Sequence, residues 1–107
     1  MILVTTDAIP GYTITQALGV AQGNTVRTKH IGRDIGAGLK SIVGGELTGY
    51  TEMMTEARSE AAARMTAEAQ AMGANAIINV RYATADVMGA GAEILAYGTA
   101  VVASPSA

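Results

Sequence analysis

Hydrophobic positions along the chain change period several times, and each change marks an element. Ile2 to Thr6 is a short apolar-to-polar run that predicts a strand, closed by a turn at Asp7-Ala8-Ile9-Pro10-Gly11, where Pro-Gly is strong punctuation. From Tyr12 to Ala21 the pattern alternates. Ile14, Leu18 and Val20 share one face, and Thr13, Thr15, Ala17 and Gly19 the other, which predicts a strand with one apolar face. Gln22-Gly23-Asn24-Thr25 reads as a turn, with extended structure resuming at Val26-Arg27-Thr28. Over residues 29–45, Ile31, Ile35, Leu39, Ile42 and Val43 recur at helical spacing. Gly32, Gly36 and Gly38 each cost helix stability, so a short helix in need of tertiary support is expected, ending at Gly44-Gly45.

The longest element is a helix over Tyr50–Met72. That stretch holds no Pro or Gly and is dominated by Ala, Glu, Met and Arg, all good helix formers. At about 100° per residue, Tyr50, Met54, Ala57, Ala61, Met65 and Met72 form one stripe, with Glu52, Glu56, Ser59, Glu60 and Gln70 opposite. Thr48 can cap its start, Glu60 and Arg64 stand at i,i+4 in the favourable order, and Gly73 sits where a left-handed terminating residue is needed. Alternation returns at Ala76–Thr84. A Gly-rich connection over Asp86–Gly91 leads to a last strand at about 93–103.

Strands and helix in this order predict an α+β fold, with a two-layer antiparallel sheet and one long helix packed on one face. The last strand is apolar or small on both sides: Ile94, Ala96, Ala100 and Val102 on one, Leu95, Tyr97 and Val101 on the other. One helix cannot cover both. A contiguous apolar face left open is more than soluble monomers usually carry, so a symmetric homo-oligomer is expected. Leu95, Tyr97 and Val101 are candidate contacts between copies. Arg58, at the edge of the helix stripe, either lays its stem along the core edge or meets a charge of a neighbouring subunit.

Composition narrows the function classes. The 107 residues suit a single domain spanning 1–107. A net charge of −2 without a basic run argues against nucleic acid or an anionic membrane surface. No apolar run reaches the length of a membrane span. The opening Met1-Ile2-Leu3-Val4 is too short for a signal sequence, so a cytoplasmic protein is expected. There is no Cys, hence no disulfide and no thiolate nucleophile or ligand.

The residues also resemble a known family. Ile14–Gly23, Arg33-Asp34-Ile35 followed by Ile42-Val43-Gly44-Gly45, Tyr50-Thr51-Glu52 leading to Arg58, Gly73-Ala74-Asn75-Ala76 and Tyr97–Val101 carry the resemblance, which covers nearly the whole chain. Together they resemble the YbjQ-like family of uncharacterised bacterial proteins, often labelled "putative heavy-metal-binding". The resemblance implies a dodecin-like α+β fold assembled as a ring, a homopentamer. The metal label brings no ligand motif that maps onto this chain.

Candidate chemistry is sparse. Zinc and similar ions want closely spaced His nitrogen or Cys sulfur, and this chain offers His30 alone. Asp34, four residues on, and Glu46 are the nearest partners in sequence. His30 therefore reads either as a surface residue at a helix start or as one member of a divalent-metal site that a ring completes with other copies. Glu52 and Glu56 form a carboxylate pair that is a solvated helix face or, at most, a weak site for a hard cation. Gly36-Ala37-Gly38-Leu39-Lys40-Ser41 misses the P-loop spacing and has no strand directly before it. No serine sits in a nucleophile-elbow pattern. The sequence thus points to a non-enzymatic oligomeric protein that binds a small ligand or metal ion between subunits. The alternative is a scaffold module that binds a protein partner through segment 29–45; an enzyme is the third reading.

Overall fold

The structure is a computed structural model, and it describes residues 1–28, 42–43, 46–88 and 91–107. Among these, β1 (Ile2–Leu3), β2 (Tyr12–Thr28), β3 (Ile42–Val43), β4 (Glu46–Leu47), α1 (Thr48–Ala71), β5 (Ala76–Val87) and β6 (Gly91–Pro105) follow in order. Four strands form one sheet in the order β1-β5-β6-β2, and β3 pairs with β4 in a separate antiparallel ladder. Among the described residues the fold is α+β, with one helix on a four-stranded mixed sheet.

The sheet departs from the expected all-antiparallel arrangement because β1 runs parallel to β5, with Ile2 opposite Ala76 and Leu3 opposite Ile77. The first strand is short, and its chain continues along the β5 edge. The Val4 amide donates to the Ile77 carbonyl and the Asn79 amide to that of Thr6, both at 3.0 Å. The parallel sense takes two returns of the chain: the segment up to Gly11 leads back from β1 to the start of β2, and α1 leads back from the far end of β2 to β5.

The expected turn at Gln22–Thr25 is absent: β2 runs unbroken from Tyr12 to Thr28 against β6. Gly23 is there for a different reason. A Cβ at this position would lie 2.3 Å from the Met65 nitrogen and 2.5 Å from the Ala61 oxygen, so the helix backbone rests directly on the strand. The Ala-rich stripe allows this approach. Ala57, Ala61, Met65 and Ala69, spaced by four, are all fully buried and form a core with Ala21, Ile77, Val80, Ile94, Ala96 and Ala100. Tyr50, expected at the head of the stripe, is exposed at its edge.

Bulges decide which side chains face the helix. The register between β2 and β6 shifts between Ile14 and Gln16 and again between Ala17 and Gly19. Each bulge inverts the alternation that follows it. The expected stripe of Ile14, Leu18 and Val20 is therefore split. Ile14 packs on the outer face, Leu18 on the helix side, and Val20 is exposed. In β5 a bulge between Ile78 and Arg81, with Asn79 at φ 53°, turns Ile78 outward and Val80 inward.

The helix ends as the sequence predicts. Gly73 takes φ 93°, the Ala74 amide donates to the Ala69 carbonyl, and the Gly73 amide donates to that of Gln70. Asn75 then docks the chain on β6. Its Nδ2 donates to the Ala103 carbonyl at 2.7 Å and its Oδ1 accepts from the Ala103 amide at 2.8 Å. The expected helix over 29–45 lies largely outside the described residues. At its end, Ile42-Val43 is a strand, not a helix, paired with Glu46-Leu47. Two β-branched residues before Gly-Gly are a hairpin signal, and it outweighs the helical spacing.

Candidate functional site

The two faces of the sheet are covered differently. On the inner face, α1 lies over β2 and β6. On the outer face, a second core joins Ile9, Ala76, Ile78, Val101 and Ala103, flanked by Ile2, Val4 and Ile14. The segment from β1 to Gly11 thus folds over one end of this face and shields it within the same chain. The alternating pattern predicts no such cover. Ile9 gave no signal, because its role depends on where the chain returns, not on any period.

That cover stops partway along the sheet. Beyond it, Val20 is 65% and Val26 50% exposed on β2, Tyr97 is 37% exposed on β6, and Leu95 is half-buried beside it. Tyr97 stands opposite Gln22 and Arg81, and Leu95 opposite Asn24 and Ala83. The patch is ordered by a cross-strand hydrogen bond in which Asn24 Nδ2 donates to Glu93 Oε2 at 3.1 Å. At the same end of the sheet, Tyr82–Asp86 of β5 is exposed on both sides. The molecule is long for its size. Its radius of gyration is 17.2 Å, where a compact domain of about 100 residues has about 13 Å.

The inner side of this end carries an ion-pair network. Glu60 accepts from Arg27 Nη2 at 2.7 Å and from Arg64 Nη2 through its other oxygen, while Arg64 Nη1 donates to the Asn24 carbonyl at 2.6 Å. The i,i+4 pair read from the sequence is thus one arm of a bridge from helix to sheet. Thr25, buried in the same region, donates from its hydroxyl to the Ala57 carbonyl at 3.0 Å.

The candidate residues divide as follows. Leu95 and Tyr97 lie side by side on the uncovered outer patch. Val101 is on the same face but only 1% exposed, because its own chain covers it. Arg58 is exposed and donates from Nη2 to Thr55 Oγ1 at 3.2 Å, one turn back on its own helix. His30 and Asp34 lie outside the described residues. Glu46 is in β4, opposite Val43. Among the described residues, no group of three His, Cys, Asp or Glu side chains comes together to hold a metal ion. A heavy-metal centre needs soft or imidazole donors. The described residues of one chain do not fit it. No described helix is long and apolar enough to cross a membrane.

Comparison with known proteins places the chain. The family model described as "Putative heavy-metal-binding", YbjQ, matches residues 1–104. The chain belongs to the YbjQ family. Among its relatives, a UPF0145 protein of Methanoculleus marisnigri is 58% identical over 98% of both chains. One of Thermus thermophilus is 58% identical over 98% of this chain and 93% of its own, and one of Thermotoga maritima is 54% identical over 94% and 95%. A crystal structure of a protein of unknown function of the DUF74 family, from Pediococcus pentosaceus, superposes with a TM-score of 0.62. It is 21% identical over 95% of this chain and 96% of that one, a likeness of fold. The YbjQ resemblance drawn from the sequence therefore holds over residues 1–104.

Proposed function

We propose that this YbjQ-family protein is a non-enzymatic binding protein of the cytoplasm that works as a homo-oligomer and holds a small ligand or metal ion between subunits. The observation that carries this reading is the half-covered outer face. One end is sealed by the chain's own N-terminal segment, and the other presents Val20, Val26, Leu95 and Tyr97 to solvent. A second copy is the economical cover for such a patch. The dodecin-like ring of five copies implied by the family resemblance is the assembly we propose.

A metal ion, if that is the ligand, draws its donors from several copies, because one chain has a single His and no Cys. A ring supplies His30, Asp34 and Glu46 once per subunit, which is the route to affinity. Native mass spectrometry tests both halves, since it reports stoichiometry and retained species together. The expected spectrum is a multimer with a bound small molecule or ion; a bare monomer overturns the reading. Calorimetric titration with Zn²⁺ gives heat that falls in His30→Ala, and absent or unchanged heat removes the metal as ligand.

A further inference from the structure

Three polar side chains on neighbouring strands share one row of the outer face, where the chain's own cover ends. Gln22 of β2, Tyr97 of β6 and Arg81 of β5 stand opposite one another across the sheet. With about 4.8 Å between strands, the row is about 10 Å wide. All three residues are exposed. Among the described residues, neither the Gln22 amide group nor the Tyr97 hydroxyl has a partner.

Arg81 is held in place at one end of this row. Its Nη1 donates to the Thr5 carbonyl at 2.8 Å and to the Val80 carbonyl at 2.9 Å, which uses both hydrogens of that nitrogen. Thr5 belongs to the segment that covers the other end of the face, so the guanidinium is fixed at the foot of that cover. Its Nε and Nη2 edge remains. No described carboxylate pairs with Arg81, since both ion pairs among the described residues belong to Glu60. A positioned guanidinium with one two-pronged edge to offer matches the two oxygens of a carboxylate.

We propose that this row binds a small aromatic monocarboxylate, with its carboxylate on the Nε and Nη2 edge of Arg81 and its ring over Tyr97 and Leu95. The inference rests on the ligand-binding reading above and names the ligand and the residues that hold it. Tyr97 and Leu95, two residues apart on the same face of β6, supply an aromatic and an aliphatic surface for the ring. Gln22, at the far end of the row, meets a polar substituent. Charge favours a single negative group over a phosphate dianion. Arg81 is one fixed cation, and Glu93 stands on the same face about 14 Å from Tyr97, four residues along the strand, where it accepts from Asn24.

Titration of ¹⁵N-labelled protein with benzoate, followed by amide shifts, tests the site, with light scattering on the same samples. The expected result is saturable shifts centred on Gln22, Arg81 and Tyr97. Arg81→Gln weakens benzoate about tenfold or more, and Tyr97→Ser about threefold or more. Because Arg81 also anchors Thr5, Arg81→Lys is measured beside it. That variant keeps the charge, lacks the two-pronged edge and, folded by circular dichroism, binds about threefold or more weakly. Methyl benzoate, which lacks the charge, and phenyl phosphate both bind more weakly than benzoate. No saturable shift, shifts centred elsewhere, unchanged affinity in a folded Arg81 or Tyr97 variant, or tighter phenyl phosphate overturns the proposal. Such a result with a multimeric wild type leaves a different ligand or a metal ion for the reading above. A monomeric wild type that still binds benzoate at Arg81 overturns binding between subunits and upholds this site.

Discussion

The two ends of the outer sheet face share one alternating pattern and have different fates. At one end Ile9 closes over Val101 and Ala103, and these residues are as buried as the helix-side core. At the other, Val20, Val26 and Tyr97 occupy equivalent outward positions and remain in solvent. Alternation dictates which side chains share a face. It does not dictate what covers that face. Cover comes from the path of the chain, and among the described residues that path shields one end only.

This contrast can be broken at either end and calibrated on the helix side, where the packing is tightest. Gly23→Ala should have the largest effect, about 3 kcal/mol, because the added methyl meets helix backbone, which has to shift to make room. Chemical denaturation of the purified variant measures it, and a cost within error would show that the helix is not seated on β2. Ile9→Ala should cost about 2–3 kcal/mol by opening a cavity over Val101, which the same denaturation series reads. A negligible change would mean that the sealed end is no better covered than the open one. Asn75→Ala removes both hydrogen bonds to Ala103 and should cost about 1.5–2 kcal/mol. Amide exchange at Ala103 should rise with it. The smallest effect on the stability of the isolated chain belongs to Val26→Thr, within about 0.5 kcal/mol. If copies cover this patch, the same substitution lowers the melting temperature only at concentrations where the assembly is populated.

Much of this fold can be read without coordinates, and the parts that cannot have identifiable reasons. The helix and its stop are legible because Tyr50–Met72 is dense in helix formers and Gly73 follows at once. Gly23 was misread. A glycine flanked by Gln and Asn looks like a turn, and only the position of Ala61 and Met65 above it shows that it makes room for a helix. Bulges leave no periodic trace before they occur, so Ile14, Leu18 and Val20 looked like one stripe and are three environments. The parallel β1 rests on two residue pairs, too few for any pattern. At the candidate site, alternation puts Leu95 and Tyr97 on one face, and the strand register does the same. Alternation could not reveal that Val101, on the same face, is already sealed by Ile9.

The central claim is that copies of the chain cover the open end of the sheet. Light scattering behind a sizing column tests it most directly, run from high concentration down to the micromolar range. The account predicts a mass that is a whole-number multiple of the 10.8 kDa chain and persists on dilution. A clean 10.8 kDa species at micromolar concentration would contradict it.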